Sequence, residues 1–292
     1  PNYDQEKVYV SDIKKIYPNY NGPVLFDIVK GTPEKLVHVD SPRYTVNGPA
    51  ELMREMLQRG IPRGRKVLQE FNIPNFILNG SKQVKQNYLA ALFGAEGTTP
   101  REYLSGYMPC PVRLSMNKRD GNDGSVFFNQ LHDLLSEFSI RSSVTRNKAY
   151  YSGLEADVYN ITILNTFDSI FNFMNEIGYL YCEDKELLQF YWINYLKSFK
   201  YELERLQIRS DKIRELRNTG KSFKEIMHLT NTSLSIVDKA INLNRRPVRI
   251  YKSGFPKFSQ WVEEKVGIDQ CLFLPINKQE SLGFNDVYNL TV

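Results

Sequence analysis

The sequence predicts an α+β chain, with a small all-helical unit in its C-terminal half and a β-rich segment after it. Three observations carry this reading. Apolar residues recur at helical spacing in LAALFGAEG (residues 89–97) and SVFFNQLHDLLSEF (125–138). Short runs such as PVLFDIV and ADVYNITIL alternate β-branched and aromatic residues as strands do. Residues 211–246 have the layout of a helix, a glycine break, a capped helix, a turn and a third helix. A length of 292 residues suffices for two or more domains and a sizeable core.

Composition narrows the class. The net charge of +5 permits an anionic partner without proving one. Cys110, Cys182 and Cys271 lie far apart with no CxxC pairing, so neither a disulfide framework nor a zinc ribbon is indicated. His38, His132 and His228 are equally scattered and read as structural or solvated. No run is apolar enough to span a membrane and no signal peptide precedes Pro1, so an intracellular protein, cytoplasmic or nuclear, is expected.

Taken in order, YVSDIKKIY reads as a helix or as a strand–helix join. PVLFDIV, KLVHV and RYTVN suit strands. Asn47-Gly48 signals a turn, and Pro49 takes the first position of a helix AELMREMLQ that ends at Gly60. The helix within residues 85–97 interleaves Ala90, Ala91, Gly94 and Ala95 with bulkier residues, so that another backbone can approach it closely. It stops on Glu96-Gly97. A carboxylate at a helix C-terminus stands against the dipole, a placement that points to a metal ligand. CPVRLSMNK (110–118) reads as a strand, and Phe128, Leu131, Leu134, Leu135 and Phe138 share one face of the helix over 125–138. IRSSVTRN and ADVYNITIL make a strand pair joined at Tyr-Ser-Gly. A helix then ends near Gly178, and residues 187–217 are helical with a bulky aromatic stripe.

LAALFGAEG resembles the LAGLIDADG signature of homing endonucleases through Leu89, Ala90, Leu92, Gly94, Ala95, Glu96 and Gly97. Ile61-Pro62-Arg63-Gly64-Arg65-Lys66 and Ile73-Pro74-Asn75-Phe76-Ile77 are similar to segments of the intein-encoded members of that family, and Ile177-Gly178-Tyr179 with Lys185 to the segment that closes a repeat. The resemblance implies αββαββα repeats with saddle-shaped antiparallel sheets that bind DNA. Residues 1–78 would be a partial first repeat, 79–200 a second, 201–248 a helix-turn-helix module and 249–292 an intein-like β segment. Residues 273–276 (FLPI) and 287–292 (VYNLTV) resemble late strands of a splicing domain, with Asn289 where an acid is usual; splicing itself is not expected of residues 1–292 as they stand. No first signature helix is found, so an upstream segment or a second chain is expected to supply it, unless the enzyme has decayed.

On this resemblance the chain is expected to be a site-specific double-strand DNA endonuclease that uses Mg²⁺ or another divalent metal. Glu96 would hold the metal, with Lys66 and Lys185 near its water. A ribbon carrying Arg113, Ser115 and Asn117 on one strand and Arg141, Ser143, Thr145 and Asn147 on the next would read the major groove. In the helical unit, Ile213 and Leu216 face inward, Gly220 breaks the first helix, and Ser222 with Glu225 forms a capping box. Ser233, Ser235, Lys239 and Asn242 would face bases, and Arg245, Arg246 and Arg249 phosphates. Two other readings use the same residues: a DNA-binding protein or regulator that does not cut, and an RNA intron maturase.

Overall fold

Residues 3–22, 24–29, 41–46, 48–151, 154–242, 250 and 253–267 are described by the structure, a computed structural model. Helix α1 (Tyr3–Ile16) settles the first ambiguity in favour of a helix. Strands β1 (Val24–Val29) and β2 (Ser41–Val46) pair antiparallel as a separate two-stranded sheet, with Val24 opposite Val46. Residues 35–39, read as a strand, lie outside the described residues. Helix α2 (Ala50–Gln58) follows, with Pro49 at its N-cap in extended backbone (φ −57°, ψ 144°) one position before the expected first turn. A 3-10 turn (Lys66–Leu68) and the short α3 (Asn75–Leu78) lead to α4 (Lys82–Glu96).

Helix α4 begins where the Ser81 hydroxyl accepts from the Val84 N–H, which satisfies one of the free donors of the first turn. It ends on Glu96, as expected. Leu89, Ala90, Phe93 and Gly94 form its buried face. The close backbone approach that its small residues permit is made by residue 180. The Leu180 N–H donates to the Ala90 carbonyl at 3.0 Å, and a Cβ on Gly94 would lie 1.9 Å from the Leu180 carbonyl oxygen. Gly97 is also required by space and not by conformation: its φ is −72°, and a Cβ would meet the Phe93 carbonyl at 2.6 Å.

The main sheet has the order β3-β5-β4, built from β3 (Arg113–Lys118), β4 (Ser142–Tyr151) and β5 (Leu154–Ile163), all antiparallel. Between β3 and β4 runs α5 (Ser125–Glu137), whose Phe127, Phe128, Leu131, Leu134 and Leu135 are buried. Leu114, Tyr159, Ile161 and Ile163 meet this helix from one sheet face. The expected αββαββα order is not complete. Between α4 and α5 the described residues carry one strand, and the stretch 98–112 holds only an isolated bridge of Glu102 to Pro109. The stretch contains Pro100, Pro109 and Pro111, and proline cannot donate to a ladder.

Helix α6 (Phe167–Asn172) passes into a π-turn (Phe173–Ile177) and stops at Gly178, whose φ of +65° favours glycine. Helix α7 (Glu183–Asn218) then runs for 36 residues and crosses the boundary drawn at 200. Its stripe of Tyr191, Trp192, Tyr195, Leu196 and Phe199 belongs to the main core. Its last turns, with Ile213 and Leu216, pack with α8 (Phe223–Thr230) and α9 (Leu234–Asn242) around a second small core of Ile226, Val237 and Ala240. The capping box is present in both directions between Ser222 and Glu225. Ser222→Ala removes it and is expected to cost about 1 kcal/mol. That loss would appear as a lower urea midpoint, with the far-UV spectrum of the folded chain retained.

The segment 249–292 differs from expectation where it is described. Residues 258–265 form a helix, α10 (Phe258–Lys265), and the described residues 253–267 include no strand. The reason is aromatic packing. Phe258 lies flat on Trp192 with ring centroids 3.7 Å apart, and Trp261 and Phe255 close on Tyr195. Residues 273–276 and 287–292 lie outside the described residues.

Candidate nucleic-acid interface

The register of the main sheet places the expected binding residues of both strands on one face. Paired residues of antiparallel strands project to the same side. The rows are Arg113–Thr162–Ser143, Ser115–Asn160–Thr145 and Asn117–Val158–Asn147. Arg113, Ser115, Thr145 and Asn147 are exposed, while Asn117 and Ser143 are half-buried. Within the face, the Ser115 hydroxyl donates to Asn160 Oδ1 at 2.6 Å and Arg113 Nε donates to Thr162 Oγ1 at 3.2 Å. Asn160 and Thr162 were not singled out from the sequence, although the same period-two alternation in ADVYNITIL would have found them. Arg141 precedes β4 and turns toward the start of α6, where its Nη2 donates to Thr166 Oγ1 at 3.3 Å.

The carboxylate of Glu96 lines a cavity of about 370 Å³ between α4, β3 and residues 61–74. Lys66 and Asn72 share the lining, together with apolar Ile61, Phe71 and Leu92. The Lys66 segment is held by Lys118, a buried residue that the sequence reading passed over. Lys118 Nζ donates to the Lys66 carbonyl at 2.8 Å and to the Gln69 carbonyl at 2.6 Å, and sits 4.2 Å from the centre of the Phe71 ring. Burial pulls its ammonium below the usual lysine range.

Lys185 has a different position from Lys66. Its ammonium donates to three carbonyl oxygens at the end of α4, those of Gly94 (2.6 Å), Gly97 (2.7 Å) and Phe93 (3.3 Å). This is a cation on a helix C-terminus, where the dipole favours it. Lys185 also supplies positive charge at the helix end where Glu96 stands. Burial lowers the pKa of Lys185, while the charges of Cys182 and Glu96 act in the opposite direction.

The fit of a divalent cation to Glu96 is poor. Among the described residues no group of three or more His, Cys, Asp or Glu side chains is placed to hold a metal ion. Glu96 is the one carboxylate among the residues lining its cavity.

In the helical unit, Ser233, Ser235 and Asn242 are exposed and Lys239 is half-buried. The Asn242 amide donates to Asp238 Oδ1 at 2.6 Å. Arg245, Arg246 and Arg249 lie outside the described residues. No helix among the described residues is long and apolar enough to cross a membrane.

No protein-family model matches the chain. The chain is similar to proteins named tRNA-splicing ligase RtcB. It is 30% identical to that of Methanocaldococcus jannaschii over 79% of its own length and 24% of the relative's. It is 26% identical to that of Methanopyrus kandleri over 72% of its own length and 21% of the relative's. It is also 26% identical to the replication factor C small subunit of Methanocaldococcus jannaschii, over 80% of its own length and 12% of the relative's. The chain thus spans about a quarter or less of the relatives it matches.

These names correct the reading drawn from LAALFGAEG. The relatives are named as tRNA-splicing ligases and not as LAGLIDADG homing endonucleases, so the expected intein-type DNA endonuclease, its non-cutting DNA-binding variant and the maturase alternative are set aside. Double-stranded DNA as the partner, with a second chain completing a nuclease, is corrected with them, because the ligases' name refers to tRNA. Packing accounts for much of the nonapeptide that suggested otherwise. Leu89, Ala90, Phe93 and Gly94 are its buried face, and the glycine is demanded by the backbone at Leu180.

Proposed function

We propose that this chain is an RNA-binding segment that holds structured RNA on the exposed face of its main sheet. The observation that carries the reading is the chemistry of that face. Ser115, Asn117, Ser143, Thr145, Asn147 and Thr162 project there, with the buried Asn160 bonded to Ser115, and hydroxyl and amide groups both donate and accept. The ribose 2′-OH, which also donates and accepts, is the group by which a protein tells RNA from DNA. The mild positive charge of the chain supports a phosphate-bearing partner.

The shares of length shape the reading further. Similar residues occur within proteins named for RNA ligation and for replication, and occupy a minor part of each. Binding is therefore assigned to this segment, and the joining reaction named for its relatives is not.

The test is direct. The purified chain is titrated with a labelled RNA hairpin, with the DNA duplex of the same sequence, and with the hairpin 2′-O-methylated. Tighter binding of RNA than DNA by about tenfold, reduced by methylation and by Asn147→Ala, is expected. Equal or tighter binding of the DNA duplex would overturn the reading.

A further inference from the structure

A second opening, with a lining different from that of the Glu96 cavity, lies at the end of α4. It is lined by Gly97, Thr98, Thr99, Arg101, Cys110, Pro111, Arg113 and Lys185. Three of these side chains are cationic and none is a carboxylate. Arg101 and Arg113 are exposed at its rim, and Arg113 is also the first residue of the sheet face described above. Arg113 uses Nε on Thr162, which leaves its Nη groups with no protein partner among the described residues. The guanidinium of Arg101 has none there either. Glu102, the nearest acid in sequence, is not among the lining residues, and its Oε1 lies 2.8 Å from where a Cβ on Gly106 would be.

The rim is also fixed in place. The Tyr179 hydroxyl donates to the Thr98 carbonyl at 3.0 Å, and the Trp192 ring N–H donates to the Pro100 carbonyl at 2.6 Å. The Cys110 N–H donates to the Arg101 carbonyl at 2.7 Å, and the backbones of Thr98 and Arg113 are joined at 2.9 Å. Lys185 closes the floor through Gly97. Glu96 acts on Lys185 at the helix end, but the lining of the cleft holds no carboxylate, so Arg101 and Arg113 present like charges that an anion would offset.

We propose that this cleft is a phosphate-binding subsite, with Arg101 and Arg113 as the contacts and Lys185 as the residue that positions its floor. Guanidinium forks match phosphate oxygens two at a time. Through Arg113 the site is continuous with the sheet face, so it rests on the RNA-binding reading for its natural ligand, a phosphate of the bound RNA. The anion chemistry itself does not depend on that reading.

Two measurements separate the subsite from the reading. The first titrates inorganic phosphate into the full chain, followed by phosphorus NMR, for the parent, Arg101→Gln, and a control, Lys148→Gln, at the exposed end of β4. The second measures RNA-hairpin affinity against salt for the same three proteins. Line broadening of phosphate by the parent and the control, lost in R101Q, is the expected first result and supports the subsite even if no RNA binds. The expected second result is a uniform loss of affinity in R101Q, with the log–log salt slope reduced by about one. Absence of phosphate binding, together with RNA binding whose slope is unchanged in R101Q, overturns the subsite and leaves the RNA-binding reading standing. Absence of both overturns both.

Discussion

Gly94→Ala unfolds the chain or lowers its stability by about 3 kcal/mol, the upper part of the usual range for an overpacked core. In an open helix the same change would stabilise by up to about 1 kcal/mol, because glycine is the poorer helix former. The geometry decides the sign. The new methyl carbon would stand 1.9 Å from the Leu180 carbonyl oxygen and 3.0 Å from the Leu180 nitrogen. Those are backbone atoms, and that same nitrogen is bonded to the Ala90 carbonyl. Relief would require α4 to move away from residues 178–181, taking Lys185 off the helix end. Urea unfolding of G94A beside Ala95→Gly, at an exposed position of the same helix, measures the difference. Equal midpoints for G94A and the parent would show that the approach is not as close as described.

Trp192→Ala is expected to cost about 3–5 kcal/mol. Trp192 is fully buried, stacks on Phe258 and meets Tyr195 edge-on with ring centroids 5.5 Å apart. Its ring N–H also holds the Pro100 carbonyl. The substitution therefore leaves a large cavity and an unbonded carbonyl at once. Trp192→Phe separates the two effects: it keeps much of the stacking and loses the single hydrogen bond, for about 1 kcal/mol. Limited proteolysis provides a second readout, since α10 and the 98–110 stretch both depend on this side chain. Cleavage near residues 253–257 should appear in W192A well below its global unfolding midpoint. If W192A unfolds only as a whole, α10 is anchored by other contacts.

Several parts of the fold were legible from local pattern. The apolar stripe of α5, the alternation of β4 and β5, and the capping box at Ser222 depend on residues close in sequence, and the structure has all three. The alternation also put Arg113, Ser115 and Asn117 on the same face as Ser143, Thr145 and Asn147 once the strands were paired. The resemblance implied two strands between α4 and α5, and the described residues carry one, because Pro100, Pro109 and Pro111 interrupt a ladder. Residues 258–265 were misread because their helix is stabilised by rings of α7 some 60 residues earlier.

The functional reading shows the same division. The nonapeptide at 89–97 invited a family resemblance that the names of the chain's relatives do not support. Its Ala90 and Gly94 answer a packing requirement instead. Lys66 and Lys185 looked alike in sequence, yet one lines a cavity with Glu96 and the other is spent on three carbonyls at the helix end. Lys118 and Arg101 carried no sequence signal at all.

By itself the sequence determined the helices and strands with strong periodicity, the capped helical unit at 213–240 and the polar side of each strand. These follow from side chains spaced by the chain's own repeat of 3.6 or 2 residues. Only the tertiary structure decided that the two polar strands share one face, that Lys185 caps α4 and that Arg101 and Arg113 border one cleft. Each of these joins residues tens of positions apart, brought together by burial of apolar surface, which is non-directional and leaves no local pattern to read.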